Sequence, residues 1–192
     1  MSWDPCLDLE AGVLRNRLGI TDRGELARTE AALTASRIYD LRRTPLPGDY
    51  DLAHLQAFHR YIFGDVYDWA GELRTVSIGR GALFCLPQHL VSTAAEIFGA
   101  LASNGYLRHL PRRAFVDALT ELLADINALH PFREGNGRAQ RAFLAQLARD
   151  AGYTIRWAVM DPTGNVDASR AAHRGDNTLL RALLDQLVDA GR

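Results

Sequence analysis

Phe115, Leu119, Leu122, Ile126 and Leu129 recur at intervals of four, three, four and three residues. That repeat lays one apolar stripe along an α-helix and does not suit a strand. So long a stripe has to be covered by other elements, so the helix is central and the fold is built around it. Pro111 suits its first turn, where a missing N–H costs no hydrogen bond. At the other end Pro131 disfavours helical geometry at His130 and stops the helix there.

Helical spacing governs most of the remaining chain. Asp22 followed by Glu25 marks a helix start, and Leu26, Leu33, Arg37 and Leu41 carry that helix to the break at Pro45 and Pro47. Leu52, Leu55, Phe58 and Ile62 predict a second helix ending near Gly64. Further helices are expected over about 88–104, 138–150 with Gly152 closing it, 161–173 and 176–190, the last two joined through Gly175. One stretch differs. Between Glu72 and Cys85 the pattern has period two around Gly79-Arg80-Gly81, which predicts a short hairpin, the only strand-like segment. With 192 residues, 47% of them hydrophobic, the chain suits one domain over residues 1–192 and is cramped for two. The expected fold class is all-α, a helical bundle with one small β-hairpin.

Several function classes fall away. A net charge of −1 leaves no broad excess of Lys and Arg for gripping nucleic acid, so no direct nucleic-acid partner is expected. Cys6 and Cys85 are isolated, without the paired spacing of a zinc site or a disulfide scaffold, and are expected to be reduced. No run reaches the roughly 18 apolar residues of a membrane span, and the start of the chain lacks the pattern of a secretory signal. The expected location is cytoplasmic, although effectors injected into a host cell also lack such signals.

The chemistry concentrates where the central helix stops. His130-Pro131-Phe132-Arg133-Glu134-Gly135-Asn136-Gly137-Arg138-Ala139-Gln140-Arg141 holds a base, a carboxylate, a glycine-flanked turn and two arginines at a helix–loop–helix junction. A loop leading into a helix N-terminus presents unpaired N–H groups and partial positive charge to phosphate oxygens. Gly135 and Gly137 leave the backbone open to a ligand, and Phe132 reads as a core anchor. Arg138 and Arg141 share a helix face roughly 140° from Phe143, Leu144 and Leu147, so both point out of the core and can grip one polyphosphate. Each part alone has a purely structural reading as a helix stop, a turn or a solvated helix face. His54, His59, His89, His109 and His173 lack comparable company and are read as surface or packing residues.

These twelve residues match, at every specified position, the signature His-Pro-Phe-x-Asp/Glu-Gly-Asn-Gly-Arg-x-x-Arg of the Fic family, which the chain resembles diffusely from about residue 4 to residue 188. Residues 63–74, Phe-Gly-Asp-Val-Tyr-Asp-Trp-Ala-Gly-Glu-Leu-Arg, resemble the stretch that precedes the flap in that family. The resemblance implies the Fic fold, with the hairpin at about 72–87 as a flap over the active site. It also implies transfer of AMP from ATP to a Tyr, Ser or Thr hydroxyl of a target protein. On that reading His130 is the general base, Glu134 holds Mg²⁺, and the Gly135-Asn136-Gly137 turn binds the α- and β-phosphates. Arg138 and Arg141 steady the β and γ groups, and Ile78, Arg80 and Gly81 lie near nucleotide or target.

Many members of the family are restrained by a helix carrying Ser/Thr-x-x-x-Glu-Gly/Asn. Here only Glu134 precedes Gly or Asn, and His130 stands four residues before it, so the chain has no internal copy. The resemblance therefore implies either a different control or a bacterial toxin with a separate antitoxin whose glutamate pairs with Arg141, and the ATPase subunits of DNA gyrase or topoisomerase IV as candidate targets. Host-directed effectors share the domain. Two alternatives stand beside this reading: transfer of another phosphate-containing group, from which Gly137 and Arg138 point away in the case of γ-phosphate transfer, and a non-catalytic peptide-binding module, against which the intact His130 and Glu134 argue.

Overall fold

The computed structural model describes residues 4–79 and 83–191. In chain order these form β1 (Leu7–Asp8), β2 (Val13–Leu14), α1 (Arg23–Arg43), α2 (Leu52–Phe63), α3 (Leu90–Ser103), α4 (Arg112–Leu129), α5 (Asn136–Asp150), β3 (Tyr153–Ile155), α6 (Pro162–His173), α7 (Thr178–Leu187) and β4 (Val188–Ala190). The stripe on α4 is buried along its whole length, and α3, α5, α6 and α7 pack around it. Each such Leu or Phe contributes about 1.5–3 kcal/mol on burial, which makes α4 the rigid post from which its C-cap residue, His130, is presented.

Helix starts follow the local chemistry of the sequence. The Asp22 carboxylate accepts the Glu25 N–H at 2.7 Å, and Asp51 accepts that of His54 at 2.7 Å, so each satisfies a donor that the first turn leaves unpaired. Pro111 is the N-cap of α4, one place before the helix begins. The bidentate pair from Arg37 to Asp65, at 2.7 and 2.9 Å, ties α1 to the segment beyond α2. One hydrophobic core cluster draws its members from Val13 through to Val188.

Two expectations need correction. The predicted flap is not the only extended segment. Among the described residues it has a single antiparallel bridge, Gly79 to Leu83, and one further bond from the Phe84 N–H to the Ile78 carbonyl at 3.1 Å. The named strands instead form two small antiparallel sheets, β1 with β2 and β3 with β4. The last helix also stops at Leu187, not near 190, because Val188–Ala190 pair with Tyr153–Ile155 in a three-residue ladder. Strands of two or three residues are too short to leave a period in the sequence.

Candidate functional site

The loop after α4 is fixed by contacts that its own sequence does not announce. His130 caps the helix in the left-handed region, with φ 44° and ψ 61°, and its N–H still donates to the Ile126 carbonyl at 3.1 Å. Its Nδ1 lies 3.1 Å from the Asn127 carbonyl. A carbonyl only accepts, so in the neutral ring Nδ1 carries the proton and Nε2 the lone pair. The ring stacks on Phe84, with centroids 3.8 Å apart and planes within 7°.

Asn136 closes the loop from inside. Its buried side chain accepts from the Phe132 N–H at 2.9 Å and donates to the Phe132 carbonyl at 2.8 Å, so only its backbone faces a ligand. Gly135 sits at φ 79°, and a Cβ there would lie 2.2 Å from the Phe63 ring. Close packing against α2 as well as the positive φ demands this glycine. At Gly137 a Cβ would come within 3.1 Å of the Arg141 guanidinium, which lies over the start of α5. The Arg138 and Ala139 N–H groups are taken by the Gly135 carbonyl, leaving those of Asn136 and Gly137 at the open end of the helix.

The two arginines differ. Arg138 is engaged by α1: it reaches Glu30 at 2.5 Å and Thr34 Oγ1 at 3.1 Å, and sits 4.6 Å over the Phe63 ring. Glu30 in turn accepts from the Tyr67 hydroxyl. Arg141 has no carboxylate within salt-bridge distance among the described residues, and burial together with the nearby Arg138 lowers its pKa. A half-buried cation without an anion is costly, and a phosphate would relieve that cost. The Glu134 side chain is 43% exposed; its Oε1 accepts from the Gly135 N–H at 2.9 Å and lies 3.7 Å from Arg138.

His59 is the histidine that the sequence undervalues. It is fully buried, sandwiched between Phe132 at 4.0 Å and Phe63 at 4.6 Å. Its Nδ1 accepts the Gly71 N–H at 2.8 Å, so Nε2 carries the proton and donates to the Glu134 carbonyl at 2.9 Å. Burial pushes its pKa down to about 4, which keeps the ring neutral. It falls on the α2 stripe, four residues after Leu55, and that position is the only signal of its role.

One cleft of about 1110 Å³ gathers Ile78, His130, Glu134, Gly135, Asn136, Gly137, Arg138 and Arg141. Arg80 and Gly81 lie outside the described residues. Across the cleft α6 contributes Asn165, Val166, Ser169, Arg170, His173 and Arg174, pairs of neighbours repeating every four residues, which the sequence reading left without a function. With Arg133, Arg138, Arg141, Arg170 and Arg174 against the single carboxylate of Glu134, the lining is strongly cationic and suited to a polyanion. A smaller cavity of about 190 Å³ lies behind it, where Arg138 and Arg141 meet Ile38, Leu41, Ala142 and Trp157. No helix of the described residues is long and apolar enough to cross a membrane.

Comparison with known proteins agrees with this geometry. The sequence profile of the Fic/DOC family matches residues 49–148. The protein adenylyltransferase VbhT of Bartonella schoenbuchensis is 41% identical over 184 residues, which is 95% of this chain; the chain spans 38% of that relative's length. The probable protein adenylyltransferase y4lH of Sinorhizobium fredii is 40% identical and covered over 96% of both chains. Among solved structures, the effector BepC of Bartonella tribocorum with bound AMPPNP superposes with a TM-score of 0.91 over 97% of each chain, at 22% identity.

Proposed function

Because the chain belongs to the Fic/DOC family, we propose that it is a protein adenylyltransferase that moves AMP from ATP to a Tyr, Ser or Thr hydroxyl of another protein. The observation that carries this reading is the convergence of the His130 ring, the open start of α5 and the Arg141 guanidinium on one cationic cleft. His130 Nε2 takes the proton of the target hydroxyl as its oxygen attacks the α-phosphorus. The bond from that phosphorus to the bridging oxygen breaks, and pyrophosphate leaves. The N–H groups of Asn136 and Gly137 hold the α- and β-phosphates, and Arg141 meets the charge that grows on the departing group. Arg138, already braced by Glu30, is the second arginine of that grip.

Glu134 fits a role in holding Mg²⁺. Among the described residues no group of three or more His, Cys, Asp and Glu side chains could hold a metal alone. Glu134 would supply the one carboxylate of such a site, a hard oxygen donor of the kind this cation takes. Bound there, Mg²⁺ supplies neutralisation of phosphate charge. The α6 face, with Asn165, Ser169 and His173, is the region left for the nucleoside. Ile78, and with it Arg80 and Gly81 outside the described residues, are assigned to the extended target segment. The core shared from Val13 to Val188 supports treating the chain as one catalytic unit.

The small cavity behind Arg141 suits a partner helix that offers an apolar face and one carboxylate, the description of a separate antitoxin with the Ser/Thr-x-x-x-Glu-Gly/Asn sequence. The toxin role, with DNA gyrase or topoisomerase IV as target, belongs to the same proposal. The test is incubation with ATP labelled at the α-phosphate, Mg²⁺ and bacterial lysate. A labelled protein band is expected for wild type and none for His130→Ala; equal labelling by both sinks the assignment of His130.

A further inference from the structure

The end of α4 is capped by the flap. Helix C-termini leave carbonyls without intrahelical partners, and here four successive ones are met from outside. The Cys85 N–H donates to the Ala128 carbonyl at 3.0 Å and the Arg74 N–H to that of Pro131 at 2.9 Å. Between them the Arg74 guanidinium takes Leu129 at 3.4 Å and His130 at 2.8 Å. The same guanidinium donates to Val76 at 2.9 Å and to Cys85, the two points where the flap leaves and rejoins the body of the protein. The Val76 and Cys85 carbonyls are thereby withdrawn from a strand ladder, in keeping with the single bridge among the described residues of the hairpin.

Arg74 is 4% exposed and has no carboxylate partner among the described residues. Burial lowers its pKa. What compensates its charge is a set of backbone carbonyls at the negative end of the α4 dipole. A planar fork with five donors serves that geometry, and a lysine ammonium does not. His130, meanwhile, is held in a left-handed conformation that a residue with a Cβ rarely adopts, and it persists only where neighbours fix it. Arg74 grips its carbonyl while Phe84, one residue before Cys85, covers its ring.

We infer that Arg74 is a positioning residue for the base: through the His130 carbonyl and the two ends of the flap it couples the orientation of His130 to the seat of the target segment. The inference rests on the proposed adenylyl transfer. Arg74 lies outside the cleft lining, so its loss should slow the chemical step and leave nucleotide binding in place.

The test is Arg74→Lys in the full chain, read as the rate of labelling at saturating ATP beside the affinity for AMPPNP. A misplaced base predicts a rate lower by on the order of 100-fold, with AMPPNP affinity changed by less than about threefold. A rate within about threefold of wild type overturns the inference, and so does a parallel loss of rate and affinity, which is what a merely structural role gives. If Arg74→Lys does not fold, Arg74→Gln, which keeps a planar amide donor, is read by the same two measurements and decides on the same terms. His130→Ala is run beside them. Should it label like wild type, the proposed reaction itself fails; should it be silent while the Arg74 variants keep wild-type rates, only the positioning inference fails.

Discussion

The loop at 130–141 and the flap at 75–86 face each other across the cleft and are held in opposite ways. Every turn of the loop is fixed from at least two directions: Asn136 brackets Phe132, His59 holds Glu134, Phe63 packs on Gly135 and Arg74 grips His130. The flap is anchored at its two ends, and between them the described residues keep one bridge, whose Leu83 is 63% exposed. Base and phosphate groups have to be placed to a fraction of an ångström before the substrate arrives, which demands redundancy. A segment proposed to pair with another chain needs free backbone edges instead, and a complete ladder would remove them.

The contrast is broken most severely at Gly135. Alanine there sets a Cβ into the Phe63 ring and keeps a positive φ, so Gly135→Ala should cost about 3 kcal/mol of stability in urea unfolding and abolish labelling. A variant within about 0.5 kcal/mol of wild type would mean the loop is not packed as described.

Next comes His59. Its folded pKa of about 4 lies below the ordinary 6.5. Between those values the unfolded chain binds the proton and the folded chain does not, so stability falls as pH drops from about 6.5 towards 4, by up to about 3 kcal/mol from this group. Burial lowers His54 too, with the same sign. Replacement by glutamine, His59→Gln, should flatten this part of the pH–stability curve and slow labelling; an unchanged slope contradicts the buried neutral ring.

The smallest stability effect belongs to the flap. Leu83→Ser should change stability by less than about 0.5 kcal/mol while weakening the labelling of target proteins relative to the chain's own self-labelling. A large loss of stability would show that the flap is part of the core.

The same division decides what could be read from the sequence. The residues proposed for catalysis lie within twelve consecutive positions that line one cleft, and the helices that carry them have long, regular stripes, so their grouping was legible. What holds the parts in place comes from afar. Glu30, His59 and Arg74 each sit in a segment whose pattern has a simpler reading, as a helix face, a core position and a hairpin residue. Their partners are backbone carbonyls or an arginine more than 50 residues away, and a period cannot report a contact of that kind. Gly135 was assigned to ligand approach, and the structure adds the Phe63 ring. On α6 the sequence reading reached the helix but not the face it turns to the cleft.

The central claim is that the loop moves an adenylyl group onto a protein hydroxyl with His130 as base. Parallel reactions with ATP labelled at the α- or the γ-phosphate, followed by mass spectrometry of the labelled protein, test it most directly. The account predicts α-label alone, as AMP on a Tyr, Ser or Thr side chain, and none with His130→Ala. Incorporation of the γ-label, or α-label that persists in the variant, would contradict it.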